Sequence, residues 1–367
     1  NLKQAQARGT LGRGGAWGVV FPPGAMSQSD RLFLEELCPA LHQRLVAKLV
    51  DDPNAQVTEQ DFQDFEVHYS IVCDGPKLTL AVQYPFLAEV WQTGGEALLG
   101  QVWKGLPVRW EAEPAQGALR VEVDAAAMGE DTALRSRCAQ SLAMTRIWLL
   151  IGPLVDRLRW LREATERGAA AARRAIPGNA ASDSAAALGT PPPLMALHVR
   201  RMETCWIVSK PDRVLVIVSV NLDDEVDVTL GRAFCQEFAE TGRKPTDFSL
   251  PCSFNEPKEI PSDLRGITSE PLPNVGFLTL TLSDQCVRAA AEERLQALAR
   301  TVMTFRNFFH FHLKHAKSYL HSRLRKRLDV WQKQLVKARR ERRPGQELRR
   351  LATGKLFMPP PRESSAM

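Results

Sequence analysis

No proline and no glycine occurs between Glu292 and Arg340, a stretch of 49 residues. A helix rises about 1.5 Å per residue, so an unbroken helix of this length would be roughly 70 Å long, more than one small domain can cover. Apolar residues recur every three or four positions and predict an apolar stripe along one helical face. The stripe consists of Leu295, Leu298, Val302, Phe305, Phe309, Ala316, Leu320, Leu324, Leu328, Trp331, Leu335 and Ala338. We therefore predict a long helix whose stripe is partly covered by a partner chain.

The positive charge of the chain is concentrated in the same region. Residues 300–350 contain 16 Lys and Arg against 3 Asp and Glu, a balance of +13, whereas the rest of the chain carries −7 within a total of +6. So one-sided a segment predicts a surface for an acidic partner. At this point three classes of partner remain open: nucleic acid, an anionic lipid surface and an acidic protein polymer.

Strand and helix patterns occur twice in the same order along the rest of the chain, which suggests a duplicated unit. The first half predicts a helix after Ser29-Asp30, strands at 65–73 and 77–84, an amphipathic segment at 86–104 interrupted at Gly94-Gly95, strands at 107–110 and 118–123, and a helix at 132–166. The second half predicts strands at 195–200, 204–209 and 213–220, a helix ending near Gly242, strands at 250–254 and 277–282, and the long helix.

These patterns predict an α+β fold, with two similar α/β modules that each contain an antiparallel sheet flanked by helices, followed by a long C-terminal helix. The predicted boundaries are a disordered N-terminal extension at 1–28, a first α/β domain at 29–167, a low-complexity linker at 168–193, a second α/β domain at 194–286, the long helix at 287–341 and a tail at 342–367.

Four of the seven histidines lie within twelve residues, at His310, His312, His315 and His321. On a helix His310 lies nearly opposite His312, and no Cys, Asp or Glu stands near enough to complete a metal shell, so we interpret them as polar residues of a packed interface. The glycines at 9–18 follow no strand, and the acids at 223–227 lack the spacing of a calcium loop. Since no motif for nucleophilic catalysis occurs either, we predict no enzyme activity, no cofactor and no metal.

The seven cysteines occur singly, an odd number without CxxC pairs that fits a reducing cytoplasm. The longest apolar run, at 147–155, is too short to cross a bilayer, and the N-terminal residues show no secretory signal. We expect a cytoplasmic protein without stable membrane insertion.

Two blocks of residues have a distinctive order. The first comprises Thr304-Phe305-Arg306, His310, His312, Lys314, Lys317, Tyr319, His321, Arg323, Arg325, Thr353-Gly354-Lys355 and Phe357. The second comprises Lys210, Asp212-Arg213-Val214, Asp223-Asp224, Gly231, Phe234, Gln236-Glu237-Phe238 and residues 274–282. Over about residues 30–357 the chain resembles the family of the 34-kilodalton subunit of the actin-related protein 2/3 complex.

The resemblance implies a pair of α/β domains followed by a helix that packs against the 20-kilodalton subunit of that complex. The other implied partners are actin-related proteins 2 and 3, the remaining complex subunits and the side of an actin filament, from which the complex nucleates a branch. It also implies a location in the cytoplasm at cortical actin and cell projections. The alternative is a protein that binds nucleic acid or anionic membrane through the basic helix.

Two sets of residues are predicted to form the contacts. The partner-subunit interface is predicted to contain Phe305, Phe309, His312, Tyr319, Leu320, Leu324 and Trp331. The contact with the filament or the assembly is predicted to contain Lys314, Lys317, Arg323, Arg325, Lys326, Arg327 and Lys333.

Overall fold

The computed structural model describes residues 36–52, 60–64, 66–174, 189–242, 250–268, 272–338, 349–350 and 356–357. The chain divides into two compact units, one ending at Leu313 and the other beginning at Lys314. The predicted N-terminal extension at 1–28 and the predicted helix start at Ser29-Asp30 lie outside the described residues.

The first sheet contains five antiparallel strands in the order β1-β2-β3-β5-β4. The strands are β1 (Gln60–Asp64), β2 (Val67–Asp74), β3 (Lys77–Gln83), β4 (Val108–Glu113) and β5 (Ala118–Asp124). Successive side chains of a strand point to opposite faces, and in β3 this buries Leu78, Leu80 and Val82. This alternation is what predicted four of the strands. The sequence of β1, QDFQD, is mostly polar and gave no strand prediction.

Helices cover the apolar face of this sheet. They are α1 (Pro39–Val46), which continues as a π-helical turn to Asp51, then α2 (Leu87–Val90), α3 (Glu96–Val102), α4 (Thr132–Ala143) and α5 (Thr145–Arg174). The predicted single helix at 132–166 is wrong, because α4 and α5 meet at a bend of 70°. At the break, Met144 leaves the helical conformation and the Thr145 hydroxyl donates a hydrogen bond to the Leu142 carbonyl at 2.6 Å.

The predicted interruption at Gly94-Gly95 is confirmed and has a packing reason. Gly94 has a φ of 112°, and a Cβ on Gly152 of α5 would lie 2.7 Å from the backbone of Gly94. Two backbones can approach this closely only where neither carries a side chain. The glycines therefore set the distance between α5 and the segment that joins α2 to α3.

Helix α5 extends further than predicted. Residues 168–174, which composition assigned to the linker, are helical up to Arg174. Positions 169–172 are all alanine, the residue with the highest helix propensity, so this part of the low-complexity sequence continues the helix. The linker residues 175–188 lie outside the described part of the chain, and 189–194 have no regular secondary structure.

The second sheet repeats the topology of the first, with the order β6-β7-β8-β10-β9. Its strands are β6 (Met195–Arg200), β7 (Glu203–Lys210), β8 (Arg213–Val220), β9 (Cys252–Asn255) and β10 (Gly276–Ser283), with helix α6 (Glu225–Gly242) between β8 and β9. All neighbouring strands are antiparallel. The predicted fold class and the predicted repeat are therefore confirmed.

The second sheet is buried on both faces, whereas many antiparallel sheets have one face exposed to solvent. One face joins the main core, and the other forms a small core of Trp206, Leu215, Ile217, Leu264 and Phe277. This explains why β8, with the sequence RVLVIVSV, is almost continuously apolar instead of alternating.

The long helix predicted from Glu292 is divided into α8 (Glu292–Met303) and α9 (Phe305–Ala338), preceded by the short α7 (Asp284–Val287). The break falls at Thr304, whose hydroxyl donates to the carbonyl of Arg300 at 2.7 Å. Such a bond from a threonine to the preceding turn competes with regular helical bonding. The predicted long C-terminal helix is therefore confirmed, with one interruption at Thr304 that neither proline nor glycine marks.

Among the described helices, none is by itself long and apolar enough to span a membrane, and the bent pair α4 and α5 meets the criterion by length and composition only. After α9 the structure describes one two-residue ladder, in which β11 (Arg349–Arg350) pairs with β12 (Leu356–Phe357).

Candidate partner-binding helix

The first residues of α9 pack inside the first unit. Phe305 and Phe309 are 7% and 0% exposed, respectively. Their rings contact two phenylalanines of α6: the ring centroid of Phe238 lies 4.9 Å from that of Phe305, and the ring centroid of Phe234 lies 5.2 Å from that of Phe309. Because these side chains are buried by the same chain, this aromatic cluster fixes the N-terminal end of α9.

Helix α6 approaches this cluster through Gly231. A Cβ at this position would lie 3.2 Å from the ring of Phe309 and 2.9 Å from a methyl group of Leu222. The glycine thus leaves the room that the aromatic ring fills.

A buried ion pair adds a second attachment. The side chains of Arg306 and Glu203 are 7% and 3% exposed, and Nη2 of the arginine lies 2.7 Å from Oε1 of the glutamate. The arginine Nε also donates to both carboxylate oxygens, at 2.8 and 2.9 Å. A bidentate guanidinium–carboxylate pair is directional, so it fixes both the position and the rotation of α9 relative to the start of β7.

These contacts involve two residues that were predicted for the partner-subunit interface. Phe305 and Phe309 are covered by α6 of the same chain, so their burial needs no partner. His312, from the same predicted set, is half-buried, with its ring 4.3 Å from that of Phe308 and 6.4 Å from that of Phe234. His312 therefore lies at the edge of the internal aromatic cluster.

The apolar stripe changes character in the second unit, where its residues are exposed. Leu320, Leu324, Leu328, Trp331 and Leu335 are between 43% and 66% exposed. Their spacing of four, four, three and four residues places them on one face of the helix. We call these five residues the exposed stripe. Contiguous exposed apolar surface on a folded protein marks a site where another molecule binds.

Four basic residues occupy a different face of the helix, turned away from the exposed stripe. Arg323, Lys326, Lys333 and Lys337 are exposed, and their spacing of three, seven and four residues places them together. We call these four residues the basic face. Tyr319 lies on the same face, with the Arg323 guanidinium 5.6 Å from the centre of its ring. The helix therefore exposes an apolar face and a separate basic face.

The other predicted basic residues do not form one surface with these four. Arg327 borders the exposed stripe. Arg325 lies on the opposite side of the helix from Arg327, and Lys314 lies on nearly the same side as Arg325. Lys317 is half-buried, whereas the other three are exposed. Sequence reasoning grouped these residues by charge alone, whereas the helix distributes them around its circumference.

The structure also bears on metal binding and on the reactivity of the cysteines. Within the described residues, no group of three or more His, Cys, Asp and Glu side chains has an arrangement that could hold a metal. All seven cysteines are free, and burial raises the pKa of Cys205 and Cys235 to about 12. Since the thiolate is the reactive form, these two cysteines act as core residues.

Two repeated antiparallel sheets flanked by helices, followed by a long helix with exposed apolar and basic faces, define an α+β protein. A family model described as the 34 kD subunit p34-Arc of the Arp2/3 complex matches residues 80–342. The chain therefore belongs to the p34-Arc family.

Two relatives illustrate the similarity. Both are named actin-related protein 2/3 complex subunit 2. The protein of Schizosaccharomyces pombe is 34% identical over 169 residues, which cover 45% of this chain and 50% of the relative. The protein of Dictyostelium discoideum is 23% identical over 328 residues, which cover 89% of this chain and 99% of the relative. The match thus spans about half the length of the first relative and nearly all of the second.

Proposed function

We propose that this chain is a non-catalytic scaffold subunit of an actin-related protein 2/3 complex, which contacts a mother actin filament and supports the nucleation of a branch. Membership of the p34-Arc family and the relatives' names support the assignment to the complex. The observation that carries the proposed binding role is the exposed helix with its apolar and basic faces. The proposed location is the cytoplasmic actin cytoskeleton, at the cell cortex and in cell projections.

The exposed stripe is the proposed contact with a partner subunit, the 20-kilodalton subunit of the complex. Its spacing alternates between three and four residues from Leu324 to Leu335, as in helices that pack along one another. Full burial of one such leucine contributes about 1.5–3 kcal/mol, and the stripe contains four leucines and a tryptophan. A helix of the partner that covers this face would remove the exposed apolar surface from water. Tyr319, which was also predicted for this contact, lies on the basic face four residues before Arg323.

The basic face is the proposed contact with the filament or with the assembled complex. Residues 314–338 contain eight Lys and Arg and one Asp, so this segment of α9 attracts an acidic surface. Actin filaments are acidic polymers. Attraction between exposed charges is long-ranged at low salt and is screened within about 10 Å at 0.1 M ionic strength.

Affinity purification of the full chain from its native cells, followed by mass spectrometry, tests the assignment. We expect both actin-related proteins and a 20-kilodalton partner in amounts equal to the chain itself. Recovery of the chain with nucleic acid or with vesicles, and without these proteins, would contradict the proposal and favour the alternative predicted from its charge.

The basic face gives a quantitative prediction. In the assembled complex, replacing Arg323, Lys326 and Lys333 together with glutamine should weaken filament binding about tenfold at low salt, because each exposed pair contributes up to about 1 kcal/mol. The difference from the unmodified complex should shrink as ionic strength rises. Co-sedimentation with actin filaments across a salt series measures both effects.

The matched control removes three positive charges elsewhere. Lys77, Lys104 and Lys258 are exposed in the first unit, and their replacement with glutamine gives the same change in net charge. Filament binding should then stay within about twofold of the unmodified complex. Equal weakening by both triple variants would mean that net charge, and not the basic face, governs binding.

A further inference from the structure

The exposed stripe does not have the spacing of a common coiled coil. Its five residues follow one another at intervals of four, four, three and four positions. A heptad repeat alternates intervals of three and four, so two successive intervals of four do not fit it. Leu320 and Trp331 lie 11 positions apart, and so do Leu324 and Leu335. The stripe therefore repeats every 11 residues.

The same repeat continues toward the N-terminal end of α9. Three residues lie 11 positions before members of the exposed stripe: Phe309, Leu313 and Lys317. Lys317 is half-buried, and the long apolar stem of a lysine can cover neighbouring apolar surface. Intervals of four, four and three positions thus recur without interruption over residues 309–335.

The length of the repeat determines how a second helix can follow the stripe. An α-helix has about 3.6 residues per turn, so a heptad repeat of about 3.5 residues per turn produces a left-handed supercoil. A repeat of 11 residues corresponds to about 3.67 residues per turn and drifts in the opposite direction, by about 20° over 11 residues. A helix that follows this stripe therefore crosses α9 at a small angle of right-handed sense and does not wind around it as in a left-handed coiled coil.

Within the first unit, a helix already covers part of this repeat. Phe309 is 0% exposed, and its ring centroid lies 5.2 Å from that of Phe234 of α6. Leu313 is also buried, whereas from Leu320 onward the apolar residues of the repeat are 43% to 66% exposed. The repeat thus continues beyond the residues that the same chain covers, which favours a helix of another chain as its occupant.

The charge beside the stripe gives the chemistry of that helix. Arg327 is exposed and lies three positions after Leu324 and four before Trp331, so it adjoins both on the helix surface. A charged residue at the edge of an apolar seam attracts an opposite charge on the partner helix and sets its orientation. The edge of the partner helix that faces Arg327 is therefore expected to be acidic.

We propose that the exposed stripe binds one helix of the partner subunit, whose apolar residues have the same 11-residue repeat and whose acidic residues lie along the edge that faces Arg327. The proposal rests on the function proposed above and adds the kind of helix that the stripe accepts. Two helices with the same repeat keep their apolar residues in contact along their common length, whereas a helix with a heptad repeat leaves the stripe after a few turns.

The first test changes the repeat without changing the composition. One variant of the tagged full chain exchanges the residues at 327 and 328 and those at 334 and 335, through Arg327→Leu, Leu328→Arg, Gln334→Leu and Leu335→Gln. The stripe then has intervals of four, three, four and three, as in a heptad. After affinity purification from native cells, we expect the yield of the 20-kilodalton partner to fall about thirtyfold or more, because two anchor residues leave the contact.

The matched control is Arg327→Gln, which removes the charge that the exchange also moves and keeps the 11-residue repeat. Its yield should fall by at most about fivefold, the usual limit for one exposed ion pair. Equal yields from the exchange variant and the control would overturn the proposed repeat. Absence of the partner from the unmodified chain would instead overturn the proposed function, and this inference with it.

The second test leaves every apolar residue in place. Arg327→Glu should lower the yield of the partner about tenfold at low salt, since attraction to an acidic edge becomes repulsion, and the loss should shrink as ionic strength rises. The control Lys104→Glu makes the same change in net charge at an exposed position of the first unit and should stay within about twofold of the unmodified chain. An unchanged or increased yield with Arg327→Glu would overturn the assignment of an acidic edge.

Discussion

Replacing Phe309 with alanine is expected to lower the free energy of unfolding by about 3–5 kcal/mol, the usual range for a buried phenylalanine. The side chain is fully buried, and its ring packs edge-on against Phe234. Truncation leaves a cavity lined by α6, whose close approach at Gly231 leaves little freedom to collapse. Urea denaturation of the full chain, followed by circular dichroism, measures the change.

Trp331→Ala is the matched control for this variant. This residue lies in the same helix and is also aromatic, but it is 66% exposed. Its replacement should change the stability of the chain alone by less than about 0.5 kcal/mol. A small effect of Phe309→Ala, comparable with that of the control, would mean that the aromatic cluster does not hold the start of α9.

Replacing Arg306 with methionine is expected to be similarly damaging, with a loss of about 3–5 kcal/mol. The change leaves the carboxylate of Glu203 buried without its guanidinium partner. Methionine fills much of the space of the arginine side chain, so the loss reports the uncompensated charge more than a cavity. The same denaturation experiment applies, and Arg323→Met, at an exposed position of α9, serves as the control.

A double-mutant cycle separates the ion pair from general disruption. The variant that combines Glu203→Gln with Arg306→Met should lose clearly less stability than the sum of the two single variants, because neither charge is then left alone. Additive losses would show that the two side chains do not stabilise each other.

The repeated architecture was predictable because apolar and polar residues alternate along the strands with a period of two. The strand β3 with Leu78, Leu80 and Val82 illustrates this. The breaks within helices were not predictable in this way. At the end of α8 the Thr304 hydroxyl donates to the carbonyls of Arg300 and Thr301, and Met144 ends α4 without any turn residue. Such breaks depend on tertiary packing, which local propensity does not contain.

The candidate site was predictable only as a pattern. Phe309 and Leu324 both belong to the apolar stripe predicted from the sequence. Phe309 is covered by α6, whereas Leu324 is exposed. Periodicity shows that a face is apolar and does not show what covers it. The partner of Arg306 was also missed, since Glu203 lies 103 residues away in the sequence and no local pattern connects them.

The partner-binding role of the exposed stripe is tested most directly by replacing Leu324 and Trp331 with aspartate in the tagged full chain, followed by quantitative affinity purification. We expect the yield of the 20-kilodalton partner to fall about tenfold or more, because buried anchor residues each contribute about 2 kcal/mol or more to an interface. The control variant changes Gln332 and Val336 to aspartate, at exposed positions outside both the stripe and the basic face. Retention of the partner by the control and its loss from the stripe variant are the predicted results. Full recovery of the partner with the stripe variant would contradict the account.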